Sequence, residues 1–181
     1  MEYVLKNGNK VNIRAPRVED AEQMVYVMKT ADCETRFLAR NPGEFTTTVE
    51  REKEIIANVL NNKNSAWFLP EYDGKLVGQC SVGIVRNNDR YRHRAAVAFI
   101  LLQEYWGLGI GGKMMEECIN WCTAHGITQI ELDVVKDNER ALKMYQSFGF
   151  EVVGTMPKAL CYPDGTYADE YLMVKMLDSV K

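Results

Sequence analysis

At 181 residues, 46% of them hydrophobic, and with 22 basic against 25 acidic side chains, the chain has the makeup of one ordinary soluble domain. A compact chain of this length buries roughly 70% of the surface that its unfolded form exposes, enough for one substantial core. The formal charge of −3 argues against a generally basic, nucleic-acid-binding surface, and no apolar run reaches the roughly 20 residues of a membrane span, so neither nucleic acid nor membrane is expected as a partner.

The opening MEYVLKNGNK lacks the apolar core of a signal peptide, and a cytoplasmic location is expected. YVLK and KVNIR alternate in polarity across Asn7-Gly8, a pair that tolerates positive φ, which predicts a hairpin. After Pro16 the period changes. Val18, Ala21, Met24, Val25 and Met28 recur at helical spacing behind the acidic pair Glu19 and Asp20. The polar stretch 31–45 reads as a long, functional loop, and Thr46, Thr47 or Thr48 can cap a second helix ending near Leu60. Three strands follow, SAWFLPEY, KLVGQCSVGIV and RAAVAFILL, with connections too short for anything but antiparallel pairing. Ile110 to His125 is helical, with Met114, Met115, Cys118, Ile119 and Cys122 on one face and Gly126 as the stop. The strand ITQIELDVV leads to a helix from Asn138 to Phe148, and two strands around Pro163-Asp164-Gly165 close the chain. This order predicts a single domain over 1–181 of the α/β (mixed α+β) class, with a central, largely antiparallel sheet flanked by helices.

The five cysteines are odd in number and scattered, and they are expected to be reduced and structural. Cys118 and Cys122, with His125 the sole nearby third ligand, do not make a zinc set, so no metal is expected.

The chemistry concentrates in YWGLGIGGKMM, residues 105–115, between a strand and a helix. Gly107, Gly109 and Gly112 fit a dinucleotide fingerprint with Asp133 as the downstream acid, but QEYW intrudes between strand and first glycine, and the upstream segments form a meander. As a P-loop the run fails at Met114, where a magnesium-binding hydroxyl is needed. A turn that merely lets strand and helix pack closely is a further reading. What the binding readings share is backbone N–H groups of residues 107–112 free to converge on an anion at a helix N-terminus, and a pyrophosphate is the natural guest.

From Asn12 to Leu177 the sequence resembles the GCN5-related N-acetyltransferase (GNAT) family. Gly109 and Gly111 fall on the glycines of its phosphate loop, with Trp106 where Gln or Arg is usual. That aromatic variant is similar to the ribosomal-protein and polyamine acetyltransferase branches. VVKDNERALKMYQSFGFEVVG matches the family signature through Asn138, Tyr145 and Gly149-Phe150. The resemblance implies acetyl-coenzyme A as cosubstrate. Leu101, Leu102 and Gln103 would hold its pantetheine arm as an added strand, a backbone N–H at Leu101 or Leu102 would polarise the thioester carbonyl, and Gly107, Leu108, Gly109, Ile110, Gly111 and Gly112 would hold its pyrophosphate. Asn138 would contact it from a helix cap, and Tyr145 would be the general acid.

The implied reaction is acetyl transfer to a primary amine of a small molecule or peptide by direct attack in a ternary complex; the alternative is a catalytically degenerate coenzyme A-binding sensor. The fourth strand, with AAVAF, offers no carboxylate as base, which leaves Glu104, His93, Glu170 or water. The first two helices, the 31–48 loop and the last hairpin are expected to face the acceptor. Their acids Asp32, Glu34, Glu44, Asp164, Asp169 and Glu170 suggest a cationic amine. The resemblance leaves room for a homodimer, and no residue specifies an interface.

Overall fold

A computed structural model describes residues 1–178; the last three positions of the expected 1–181 domain lie outside the described residues. Strands β1 (Glu2–Val4) and β2 (Lys10–Arg14) form the expected hairpin, with Gly8 at φ 82° in its turn. Helix α1 (Ala21–Glu34) follows a short 3-10 turn, Val18–Asp20, and α2 (Val49–Leu60) is capped by Thr48, whose side chain accepts from the Arg51 N–H. Next come β3 (Ser65–Tyr72), the two-residue β4 (Lys75–Leu76), β5 (Gly78–Ile84) and β6 (Arg94–Leu101). Helix α3 (Ile110–Ala124), β7 (Gln129–Val135), α4 (Glu139–Ser147), β8 (Glu151–Cys161) and β9 (Tyr167–Met176) complete the chain.

Two expectations are corrected. The loop after α1 begins at residue 35 rather than 31, because Ala31 and Asp32 are buried and continue the helix's inner face. On that face Val27 is buried while Met28 is only partly so. The run KLVGQCSVGIV divides at Val77, whose N–H donates to the Pro70 carbonyl.

The strands form one sheet in the order β1-β2-β3-β5-β6-β7-β9-β8, with β4 paired to β3. Every pairing is antiparallel except β6 with β7. Side-chain alternation feeds two cores. On one face Cys80, Val82, Ala95, Val97, Ile130, Leu132, Val134 and Met173 pack with Met114, Met115, Cys118 and Cys122 of α3. Each large side chain fully buried there contributes about 1.5–3 kcal/mol. On the other face Leu69, Leu76 and Ile100 pack with Ala21, Met24, Val27 and Ala31 of α1 and with Ile56 of α2. Among the described residues no helix is long and apolar enough to cross a membrane.

The functional consequence lies in the single parallel pairing. β6 and β7 are in register only at Arg94↔Gln129, Ala95↔Ile130 and Ala96↔Glu131. Beyond Ala96 they part. β6 stays paired to β5 as far as Leu101, while β7 stays paired to β9 as far as Val135. A wedge therefore opens in the middle of the sheet, toward the C-terminal ends of both strands, where ligands of α/β sheets commonly bind.

Candidate active site

The ladder phase identifies which backbone groups face the wedge. The Leu102 N–H donates to the Val77 carbonyl at 2.9 Å and the Val85 N–H to the Arg94 carbonyl at 3.1 Å, so the even-numbered residues of β6 bond toward β5. Antiparallel alternation then turns the backbone groups of Val97, Phe99 and Leu101 toward the wedge; the Ala96↔Glu131 bridge still takes the Val97 N–H, and β7 leaves the Val97 carbonyl, both groups of Phe99 and the Leu101 N–H unpaired. An extended ligand entering the wedge meets a strand edge ready for one more strand.

Of the three residues expected to hold such a ligand, only Leu101 presents a free wedge-facing N–H. Its carbonyl accepts from the Trp106 indole Nε1 at 2.7 Å. The Leu102 N–H is bonded to Val77, and the Gln103 N–H donates to the Glu34 carboxylate at 2.7 Å. Sequence reasoning missed Val97 and Phe99 because which edge of β6 is free depends on where β7 stops pairing.

At the C-terminal end of β6 the chain makes a 3-10 turn, Gln103–Tyr105, and enters the glycine loop. Gly107 and Gly109 take φ of 81° and 95°, conformations a side chain resists, and Gly109 is the N-cap of α3 without any side-chain cap. The first intrahelical bond there is from the Lys113 N–H to the Gly109 carbonyl, so the N–H groups of Ile110, Gly111 and Gly112 are left at the positive end of the helix. Gly111 and Gly112 have a different task. A Cβ on Gly111 would stand 3.0 Å from the Met144 sulfur, and one on Gly112 3.7 Å from the Phe148 ring. These two glycines let α3 pack closely against α4. Two residues that can bring positive charge escaped sequence reasoning: the Lys6 stem comes within 4.0 Å, at Cγ, of where a Gly109 Cβ would stand, and the Arg140 guanidinium lies 4.8 Å from the Trp106 ring centre. Both come from distant segments, so no local pattern announces them. Leu108 is partly buried against the core and spaces the two glycines.

Asn138 caps α4, its side chain accepting from the Ala141 N–H at 3.3 Å. One helical face onward, Tyr145 is 7% exposed, with its ring 6.0 Å from Phe99 and 5.9 Å from Phe150. It thus reaches the sheet at the free stretch of β6. Burial pushes its phenol well above the ordinary tyrosine range, and the nearby Cys80 and Cys118 add to this, so the group is a neutral donor.

On the opposite face a cleft of about 400 Å³ lies between the α1–α2 loop and the β8–β9 turn, lined in part by Arg36, Leu38, Arg40, Leu160, Tyr162 and Asp164. The acids expected to make this side anionic are mostly engaged. Asp32 is gripped through both oxygens by Arg40, Glu34 accepts from Gln103 and Glu44 from Asn41. Asp164 accepts from Thr166, and Asp169 from the Lys158 N–H. The cleft is nearly balanced in charge. Among the other expected bases, His93 precedes the paired end of β6, away from the wedge mouth, and Glu104 is tied to Tyr105, holding that phenol up at about 12.

With this geometry in place, comparison with known proteins is informative. A family model described as the acetyltransferase (GNAT) family matches residues 25–150. L-amino acid N-acetyltransferase AaaT of Escherichia coli is 32% identical over 108 residues, 58% of this chain and 64% of that protein. The match therefore spans a little under two thirds of that relative's length. The crystal structure of a GNAT-family acetyltransferase from Streptococcus pneumoniae superposes with a TM-score of 0.87 at 26% identity, covering 92% of this chain and 99% of that one. A phosphinothricin acetyltransferase from Sinorhizobium meliloti, solved in complex with AcCoA, shares the fold at a TM-score of 0.80 and 18% identity, over 92% of this chain and 88% of that one.

Proposed function

The chain belongs to the acetyltransferase (GNAT) family, and on that premise we propose that it transfers an acetyl group from acetyl-coenzyme A to a primary amine of a small molecule or peptide, by direct attack in a ternary complex. The observation that carries this reading is the wedge itself: a free strand edge on β6 that runs directly into an uncapped helix N-terminus. The two parts suit the two ends of one ligand. Val97, Phe99 and Leu101 offer backbone groups to an amide-bearing pantetheine arm. The amides of 107–112, with Lys6 and Arg140 nearby, offer donors and positive charge to a pyrophosphate.

When bound, acetyl-coenzyme A supplies an activated acyl group as its thioester. The chain's own residues align it. Orienting amine and thioester can be worth about 7–11 kcal/mol of barrier. The N–H groups on the free edge of β6 polarise the thioester carbonyl, and the Tyr145 phenol donates toward the departing sulfur. The relative AaaT, named for acetylating L-amino acids, supports a small primary amine as acceptor. The near balance of charge in the 400 Å³ cleft suits an amine that also carries an anionic group.

A thiol-release assay over a panel of amino acids, polyamines and short peptides tests this. At least one amine is expected to drive coenzyme A release above the hydrolysis of acetyl-coenzyme A alone, with the N-acetyl product seen by mass spectrometry. Acetyl-coenzyme A binding without release for any amine would instead establish a coenzyme A-binding protein without catalysis.

A further inference from the structure

The reaction needs a proton acceptor, and β6, where Ala96 and Ala98 stand, has no carboxylate to offer. The register points to the neighbouring strands. Ala96, paired with Glu131, lies on the sheet face that carries α1 and α2, and Ala98 shares that face. Along β7 the same face carries Glu131, Asp133 and Val135; on β9 it carries Glu170 opposite Val135 and Leu172 opposite Asp133. Asp133 and Glu170 are diagonal neighbours, roughly 7 Å apart by the geometry of a ladder. Asp133 stands on the part of β7 that has left β6, across the wedge from the exposed Ala98, and Glu170 lies one strand beyond it on β9. The two small alanines leave the floor of the wedge open to the carboxylates on its far bank.

Among the six acids of the acceptor-facing segments, Glu170 differs from the rest. Asp32, Glu34, Glu44, Asp164 and Asp169 are each held by a partner within the fold. The Glu170 carboxylate makes no hydrogen bond or ion pair with any described residue, although it is only partly exposed. Glu131, on the same face, is ion-paired with Arg94.

We propose that Glu170, set against Asp133 on the open face of β7 and β9, takes the proton that the acceptor amine sheds as its nitrogen attacks the thioester. The inference rests on the acetyl-transfer reading and adds the residue that completes it. The nitrogen lone pair forms the new C–N bond to the carbonyl carbon. The C–S bond breaks with its electron pair going to sulfur. The nitrogen's proton passes to the Glu170 carboxylate and leaves to solvent, while the thiolate forms against the hydrogen bond that Tyr145 donates and takes its proton from solvent. For a neutral amine the protons balance; an amine that arrives protonated releases one.

Burial raises the Glu170 carboxyl above its ordinary range, and the charge of Asp133 raises it further. A base so tuned is stronger than a free carboxylate. The facing groups are few: Asp133 from β7, the uncharged Met156 directly opposite on β8, and beyond them the neutralised Glu131–Arg94 pair. Activity should rise with pH through the raised carboxyl pKa. Because Asp133 is a like charge, its removal should move that limb to lower pH.

The test compares the wild type, E170Q and D133N in kcat and kcat/KM against pH, using two accepted amines of different basicity. Acetyl-coenzyme A affinity is measured by calorimetry, and the Glu170 carboxyl is titrated by carbon NMR. E170Q is expected to lose about a hundredfold in kcat, with acetyl-coenzyme A affinity within twofold of wild type. The carboxyl limb should fall at the same pH for both amines and shift downward in D133N. Full kcat and an unchanged pH profile in E170Q overturn the proposal, as does a Glu170 carboxyl that titrates in the ordinary range in the wild type. No turnover by the wild type with any amine would instead locate the failure in the acetyl-transfer reading, and the proposal would fall with it.

Discussion

Replacing Gly109 with valine is expected to weaken acetyl-coenzyme A binding by about tenfold to a hundredfold in a calorimetric titration, while circular dichroism remains that of the wild type. Gly109 sits at φ 95°, where a β-branched side chain strains the backbone by about 1–3 kcal/mol. The loop escapes that strain by turning φ negative, and doing so swings the N–H groups of Ile110, Gly111 and Gly112 off a common target. Each 1.4 kcal/mol lost is a factor of ten in affinity. The space around Gly109 is open apart from the Cγ of Lys6 at 4.0 Å, so the expected loss comes from backbone conformation rather than a clash. Unchanged affinity in the variant would mean that the first turn of α3 does not hold the phosphates.

Tyr145→Phe should lower kcat by about tenfold to a hundredfold and leave both acetyl-coenzyme A affinity and thermal stability nearly as they were. Its ring is packed between Phe99 and Phe150, and phenylalanine fills the same space. What the variant loses is one hydroxyl donor beside the wedge. A thiol such as that of coenzyme A ionises near ~8.5, well below this buried phenol, so Tyr145 acts first by donating a hydrogen bond to charge as it grows on sulfur. Two results follow. Tyr145 itself contributes no falling limb to the rate at moderately alkaline pH, because its pKa is raised. Stopped-flow and steady-state rates measured together should place the loss in the chemical step rather than in release. A variant with wild-type kcat would assign Tyr145 to the core alone.

Much of the scaffold was legible in local sequence. Asn7-Gly8, Thr48, Gly126 and Asn138 mark turns and helix ends through chemistry that needs only near neighbours, and the structure places an element boundary beside each. Where the reading slipped, a distant contact was responsible. Asp32 and its neighbours look like the start of a polar loop, yet Arg40, eight residues on, neutralises Asp32 and lets α1 continue. The wedge was harder still. Nothing within RAAVAFILL or ITQIELDVV says that the two runs pair over three residues and then separate, because that depends on β5 and β9 holding them from outside.

The site divides in the same way. The glycine loop, Asn138 and Tyr145 were readable because their spacing is local and resembles a known pattern. The backbone groups of Val97 and Phe99 were not, because a strand edge has no side-chain signature. Glu170 was one acid among six until the other five proved to be engaged, and in a sequence an occupied carboxylate looks the same as a free one. A near-neutral charge is compatible with anion binding here because the donors at the loop are peptide N–H groups at a helix end, with Lys6 and Arg140 close by.

The central claim is that acetyl-coenzyme A lies in the wedge, bonded along β6 and anchored at the start of α3. Amide NMR of the uniformly labelled protein during an acetyl-coenzyme A titration tests it directly. With acetyl-coenzyme A in the wedge, the amides of Phe99, Leu101, Ile110, Gly111 and Gly112 shift together and saturate at one concentration, with their exchange with solvent slowed. Saturable binding that moves other amides and leaves these five unchanged would contradict it.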